Sequence, residues 1–118
     1  MGTKSAVLKE RWSFFYADSL DSIWFDTKTM ETTDSSGRRV WLRHLFITPQ
    51  NSDWTIAPID KLLERWEFRC GARRIRKLES AAFDSAGQST GTDIRQTDWR
   101  TAVPETRGEG MLNAACAL

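Results

Sequence analysis

The two cysteines are the residues with the clearest chemistry in this chain of 118 residues. Cys70 ends a stretch that is predicted to be a strand, and Cys116 lies in a short terminal stretch that is predicted to be a helix. An even number of cysteines in a small chain fits an oxidising compartment, where a bond between them would hold the helix on the sheet. Two free thiols of a cytosolic protein are the alternative, since free cysteine is often buried. Spacing alone leaves both interpretations open.

The single histidine, His44, is the only imidazole that could serve in catalysis. It lies in the middle of a predicted strand among apolar residues, which favours a structural histidine with satisfied hydrogen bonds. The sequence has no zinc-ligand spacing, no Gly-x-Ser-x-Gly turn, no phosphate-binding glycine loop and no Cys-x-x-Cys pair. We therefore expect no enzymatic activity, no metal and no other cofactor.

A cluster of cations surrounds a predicted hairpin. It consists of Arg69, Arg73, Arg74, Arg76 and Lys77. Either these side chains form a solvated strand face that also protects against edge pairing, or they bind an acidic or sulfated partner. Because side chains alternate along a strand, Arg74 and Arg76 are predicted to share one face, and Arg73 and Lys77 the other.

Six tryptophans offer a second kind of contact. Tryptophans in strands mostly pack in a core, whereas an exposed pair would indicate a protein or glycan contact. Trp54 lies in the longest predicted loop, residues 48–60, where it either packs back on the core or stays exposed. Together with the cation cluster, Trp54 is a candidate protein-binding residue.

The elements that must position these residues are six predicted strands followed by one helix, which is an α+β order. The predicted strands cover residues 12–16, 22–30, 38–47, 62–70, 73–83 and 89–99. In the fourth strand, Trp66 and Phe68 share one face that is interrupted only by Glu64, so this strand is predicted to be half-buried. Pro104 is predicted to begin the helix, as proline does at a first helical position.

Length and composition limit the remaining possibilities. A chain of 118 residues is predicted to form one domain, residues 1–118. A net charge of +1 gives no general attraction to nucleic acid. No stretch reaches the roughly 18 apolar residues of a transmembrane helix. Residues 1–8 lack the apolar core and cleavage site of a signal peptide, so an exported protein would be a mature form behind a new initiator methionine.

A series of landmarks runs from the start of the first predicted strand almost to the end of the chain. They are Trp12, Ser22-Ile23, Gly37, Val40-Trp41, Cys70, Arg73, Arg74, Arg76, Phe83-Asp84, Gly87, Trp99, Pro104 and Cys116. In their order and spacing, the chain resembles the bacterial surface-adhesin protein E family. Phe83 stands where this family usually has tyrosine, and Glu105-Thr106 replaces the usual Gly-Ser, so the resemblance is to a distant member.

The resemblance implies an antiparallel sheet of about six strands, with a carboxy-terminal helix on one face and a disulfide between Cys70 and Cys116. It also implies export to the periplasm or the outer-membrane surface of a Gram-negative bacterium. The named adhesin of this family forms dimers and binds host matrix and serum proteins such as laminin and vitronectin. We therefore expect a non-enzymatic domain that binds a protein partner and that could form a homodimer.

Two other functions stay open at this point. One is a periplasmic structural or inhibitory protein, for example a toxin-neutralising one, that binds another bacterial protein. The other is an enzyme or small-ligand carrier with a cleft between sheet and helix, which a deep pocket with convergent polar groups would indicate.

Overall fold

A computed structural model describes residues 10–34 and 36–118 of the chain. The expectation about a leader therefore concerns residues that lie outside the described part. The elements are β1 (Trp12–Ala17), β2 (Asp21–Asp26), β3 (Glu31–Thr32), β4 (Gly37–Gln50), β5 (Ile59–Arg69), β6 (Arg74–Phe83), β7 (Ser89–Asp93), β8 (Arg100–Thr101) and α1 (Arg107–Cys116).

All eight described strands belong to one antiparallel sheet. Its main path runs β1-β2-β4-β5-β6-β7, while β3 pairs with β4 and β8 pairs with β6. The expected antiparallel sheet and carboxy-terminal helix are confirmed. The expected count of about six strands is wrong, because β3 and β8 are extra strands of two residues each. With ten residues in the single described helix, the fold is predominantly β rather than α+β.

The two central strands are longer than the sequence pattern predicts, and the last long one is shorter. β4 continues to Gln50, so the connecting loop is only residues 51–58. The ladder between β6 and β7 stops at Asp93 instead of continuing to Trp99. The Asp93 carboxylate accepts the backbone N–H of Arg95 at 3.1 Å, which forms a turn where the ladder stops. The chain then returns to β6, where the Thr97 N–H donates to the Lys77 carbonyl at 2.9 Å.

Helix α1 packs against one face of the sheet, which we call the inner face; the opposite face is the outer face. The helix contributes Met111, Leu112 and Ala115 to the core. The strand residues of the same core are Ile23, Phe25, Val40, Leu42, Trp66, Phe68 and Ile75. The predicted buried face of the fourth strand is therefore confirmed, and it meets the helix.

The helix begins at Arg107 and not at Pro104. Thr106 is the N-cap, and its side-chain oxygen accepts the backbone N–H of Glu109 at 3.4 Å. Gly108 allows the first turn to approach the sheet, because a Cβ there would lie 3.0 Å from Cδ1 of Ile75. The predicted start was wrong by three residues because the capping threonine, rather than the proline, determines where the helix begins.

The other end of the helix is bonded to the sheet. Cys70 and Cys116 form a disulfide with a Cα–Cα distance of 5.9 Å, inside the usual range for this bond. The disulfide expected from the family resemblance is confirmed, and neither cysteine is a free thiol.

The outer face as a candidate binding surface

The outer face carries most of the strand tryptophans. Strand register places Trp24 opposite Arg43, and Trp41 opposite Arg65, with neither indole among the helix-side core residues. Trp12, opposite Asp26 in β1 and β2, lies on the same face. The expectation that strand tryptophans form the core is wrong for these three residues. The aliphatic and phenylalanine residues that alternate with them fill the inner face instead.

Cations stack on these outer-face rings. The Arg43 guanidinium lies 4.3 Å from the ring centroid of Trp12 and 5.4 Å from that of Trp24. Further along the sheet, Arg69 and Arg76 lie 4.3 and 4.4 Å from the ring of Trp99. Attraction between a guanidinium and the face of an indole holds both groups in place. The outer face is therefore a layer of alternating aromatic and cationic groups.

One buried carboxylate anchors the middle of this layer. Glu67 Oε1 accepts hydrogen bonds from Arg76 at 2.7 and 2.9 Å, and Oε2 accepts one from Arg39 at 3.0 Å. Burial raises the pKa of Glu67, but the hydrogen bonds and charges of Arg76 and Arg39 outweigh it and leave the pKa below its ordinary value. Arg76 is therefore committed to an internal ion pair.

In the described part of the chain, the two arginines at the end of β5 and the start of β6 have no such carboxylate. Arg69 and Arg74 are directly opposite each other across β5 and β6, and both residues are exposed. Among residues 10–34 and 36–118, no carboxylate forms an ion pair with either side chain. Like charges that face each other across a pair of strands repel. This end of the outer face therefore has an unbalanced positive charge.

The five predicted cations do not form one patch. Arg69, Arg74 and Arg76 lie on the outer face, whereas Arg73 and Lys77 lie on the inner side of the sheet. Arg73 Nη2 lies 3.2 Å from Oε2 of Glu109 in the helix, and Lys77 Nζ lies 3.6 Å from Oε2 of Glu64. The alternation thus separates the cations as the sequence predicts. Of the three on the outer face, Arg76 is held by Glu67, so Arg69 and Arg74 are left for a partner.

Trp54 lies apart from these cations, in the loop of residues 51–58. The loop docks on β7, where the Ile56 N–H donates to the Thr90 carbonyl at 3.0 Å. A Cβ at Gly91 would lie only 2.7 Å from the Trp54 carbonyl oxygen, so this glycine permits the close approach. The Trp54 residue is half-buried. The structure does not bring it together with the arginines of the outer face.

Sequence reasoning did not single out Trp41 and Arg43 as candidate binding residues. The signal was present as the alternation of Arg39, Trp41 and Arg43 along one face of β4. Large apolar residues also occupy the other face of this strand, so the pattern alone does not identify the face that the helix covers.

The inner face contains a polar cluster around His44. Its Nδ1 lies 2.8 Å from Oδ2 of Asp21, and its Nε2 lies 2.8 Å from Oε1 of Glu64. Glu64 also accepts a hydrogen bond from the indole N–H of Trp66 at 3.3 Å. The residue that appeared to interrupt the apolar face of β5 therefore belongs to a buried hydrogen-bonded network with His44 and Trp66.

The protonation of this cluster follows from its contacts. Burial lowers the pKa of His44, but the hydrogen bonds and charges of Glu64 and Asp21 outweigh burial and raise it above its ordinary value. Burial raises the pKa of Glu64, and His44, Lys77 and Trp66 together reverse that effect and lower it. Because both ring nitrogens engage carboxylates, neither is free to accept a proton from a substrate. This arrangement agrees with the predicted structural histidine.

The sequence model of the family described as surface-adhesin protein E matches residues 12–117. The chain belongs to the surface-adhesin protein E family. The match includes both faces of the sheet and both cysteines, and it confirms the resemblance that the sequence landmarks indicated. Comparison with curated proteins and with solved structures gave no significant match.

Membership of the surface-adhesin protein E family points to an exported protein with an adhesin-like, protein-binding role at the cell surface. In the described part of the chain, no helix has the length and apolar character needed to cross a membrane. Within the same residues, no group of three or more histidine, cysteine, aspartate or glutamate side chains is placed to hold a metal ion.

Proposed function

We propose that this protein is an exported, non-enzymatic, adhesin-like domain that binds an acidic region of another protein through its outer face. The observation that carries this proposal is the Arg69–Arg74 pair. Two arginines held opposite each other without a carboxylate partner in the described chain are unfavourable in the free protein. An acidic partner would neutralise both of them.

The composition of the outer face supports the same function. Tryptophan and arginine are the residue types most enriched where single side chains dominate protein–protein affinity. Stacking on indoles already orders Arg43, Arg69 and Arg76 in the free protein. Groups that are ordered before binding lose less conformational entropy when a partner arrives. The outer face is therefore ordered before binding and offers a partner both positive charge and aromatic surface.

The non-enzymatic part of the proposal rests on family membership and on the state of His44. The only imidazole of the chain is engaged by Asp21 and Glu64 on the inner face, away from the tryptophans and arginines of the outer face. The outer face would thus act by shape and charge, with host matrix and serum proteins as the first partners to test.

The test compares Arg74→Glu with Arg107→Glu, a reversal on the helix at the opposite face. Binding is measured on immobilised matrix and serum proteins, laminin and vitronectin among them, beside fractionated periplasmic proteins. Arg74→Glu places a carboxylate opposite Arg69, so it should stabilise the fold by about 0.2–1 kcal/mol while weakening binding about tenfold. Arg107→Glu breaks the ion pair with Asp18 and should leave binding unchanged.

The wild-type affinity should also fall as salt rises from about 50 to about 150 mM. Equal binding by Arg74→Glu and wild type, or an equal loss in Arg107→Glu, would contradict the proposal. Binding confined to periplasmic proteins would instead support the inhibitory or structural alternative.

A further inference from the structure

A hollow interrupts the aromatic layer of the outer face. Trp12 is paired with Asp26, and the adjacent Phe25–Leu42 pair sets Asp26 beside Trp41. A short side chain thus lies between two indoles. The resulting cavity has a volume of about 160 Å³ and is lined by Arg11, Trp12, Asp26, Thr29, Trp41 and Leu63.

The carboxylate at this hollow is fully used by the protein itself. Oδ1 of Asp26 accepts hydrogen bonds from Nε of Arg11 at 2.9 Å and from the Lys28 N–H at 3.1 Å. Oδ2 accepts one from Nη2 of Arg11 at 3.0 Å and one from the Thr29 hydroxyl at 2.6 Å. A carboxylate offers about four acceptor positions. Asp26 therefore has no acceptor left for the hydroxyl groups of a sugar.

The size of the hollow selects one kind of occupant. A cavity of about 150 Å³ with apolar walls holds a single benzene molecule, whereas sites for larger ligands occupy roughly 300 Å³ or more. The apolar part of the wall consists of the indoles of Trp12 and Trp41 and the aliphatic side chain of Leu63, while Arg11, Asp26 and Thr29 form its polar part. Because the polar part is already hydrogen-bonded within the protein, the apolar part is left to contact the flat ring of one aromatic side chain.

We propose that this hollow receives one phenylalanine or tyrosine ring from the acidic partner, as an anchor for the contact. The proposal deepens the proposed function and rests on it. Arg43 stacks on the Trp12 wall, and in the described part of the chain it forms no ion pair with a carboxylate. Arg11 at the hollow and Arg65 across from Trp41 are already paired, with Asp26 and with Glu31 and Glu79. The unpaired charge of Arg43 therefore fits an aromatic residue that has an acidic neighbour.

The test uses the full chain and N-acetylphenylalaninamide as the ring probe, with N-acetylleucinamide and methyl glucoside as controls. Indole N–H resonances are followed by NMR, and Trp12→Phe and Trp41→Phe variants assign the two wall tryptophans. The ring probe should shift the Trp12 and Trp41 resonances in a saturable way and leave those of Trp66 and Trp99 in place. The two controls should shift none of them.

A matched pair of variants tests the volume argument. Leu63→Trp fills the hollow and should lower the affinity for the ring probe at least tenfold. Leu45→Trp adds the same bulk to the same face outside the lining residues and should leave binding unchanged. No saturable shift, an equal response to methyl glucoside, or unchanged binding in Leu63→Trp would overturn the proposal.

The outcomes separate this inference from the proposed function. If Arg74→Glu weakens binding of the partner while the ring probe does not bind, the hollow is not an anchor site, although the outer face still binds the partner. If the ring probe binds while Arg74→Glu has no effect, the proposal of an acidic partner fails.

Discussion

At the scale of single residues, His44 shows how a charged cluster can be built into the inner face. A neutral imidazole donates only one hydrogen bond, so donation to both Asp21 and Glu64 requires the protonated ring. Lys77 adds a second positive charge beside Glu64. The positive charges of His44 and Lys77 thus equal the negative charges of the two carboxylates. This balance reduces the free-energy penalty of burying charge.

We predict that this cluster makes stability depend on pH. The raised pKa of His44 means that its contribution is complete below its ordinary value of 6.5 and is lost as pH rises through the raised value. The lowered pKa of Glu64 means that its contribution is present above its ordinary value of 4.5 and is lost as pH falls through the lowered value. The cluster therefore stabilises the fold most between these two pH values.

The measurement is urea unfolding of wild type and His44→Gln from pH 4 to pH 9. Glutamine keeps some hydrogen bonding but cannot carry the charge, so His44→Gln should lower the free energy of unfolding by about 1–3 kcal/mol near pH 6. The difference between the two proteins should shrink as pH rises. A difference that stays constant across this range would show that the charge of His44 contributes nothing.

At the scale of elements, the helix depends on the bond at its end. A helix of ten residues is marginal on its own, and most of its stability comes from packing on the sheet. The two bonded cysteines are separated by 46 positions in the sequence. In the loop-entropy model, a loop of this length contributes about 4 kcal/mol of stabilisation.

We therefore predict that reduction releases α1 before it unfolds the sheet. Hydrogen exchange measured by mass spectrometry should show faster exchange in α1 after reduction, with the amides of β4 and β5 still protected. The double variant Cys70→Ala and Cys116→Ala is the control without reducing agent and should behave in the same way. Helix amides that stay protected in both samples would contradict the prediction.

How far the sequence predicts these elements depends on how distinct the two faces of each strand are. In β5, the alternation of Trp66 and Phe68 with Arg65, Glu67 and Arg69 identifies the buried face, and the structure agrees. In β4, both faces carry large apolar side chains, and only the position of the helix decides which face is buried. That position depends on contacts between residues distant in sequence. The family resemblance indicated one of them, the disulfide, and periodicity could not.

The polar contacts were also hard to predict, because they too join residues that are distant in sequence. Glu64 appeared as an interruption because its partners His44 and Lys77 belong to other strands. Sheet register brings them together, and register is not visible in a single strand. The cation cluster was visible in the sequence, but its separation into outer-face and inner-face groups needed the fold to show which partner each arginine has.

At the scale of the whole molecule, the two faces of the sheet have different roles. The inner face holds the helix, the disulfide and the charged cluster, and these features stabilise the fold. The outer face holds tryptophans stacked with arginines, an aromatic hollow and an unbalanced positive end. If binding and stability are separated in this way, substitutions of exposed outer-face residues should alter affinity with little effect on folding, as for Arg74→Glu.

The most direct test of this account is oxidative footprinting of the protein, free and bound to the partner found in the binding screen. Tryptophan side chains react readily with hydroxyl radicals, so protection reports the contact without any substitution. We predict that Trp12, Trp41 and Trp99 become protected on binding, while Trp54 and the residues of α1 do not. Protection of the Trp54 loop or of the helix, with the outer-face tryptophans unchanged, would contradict it.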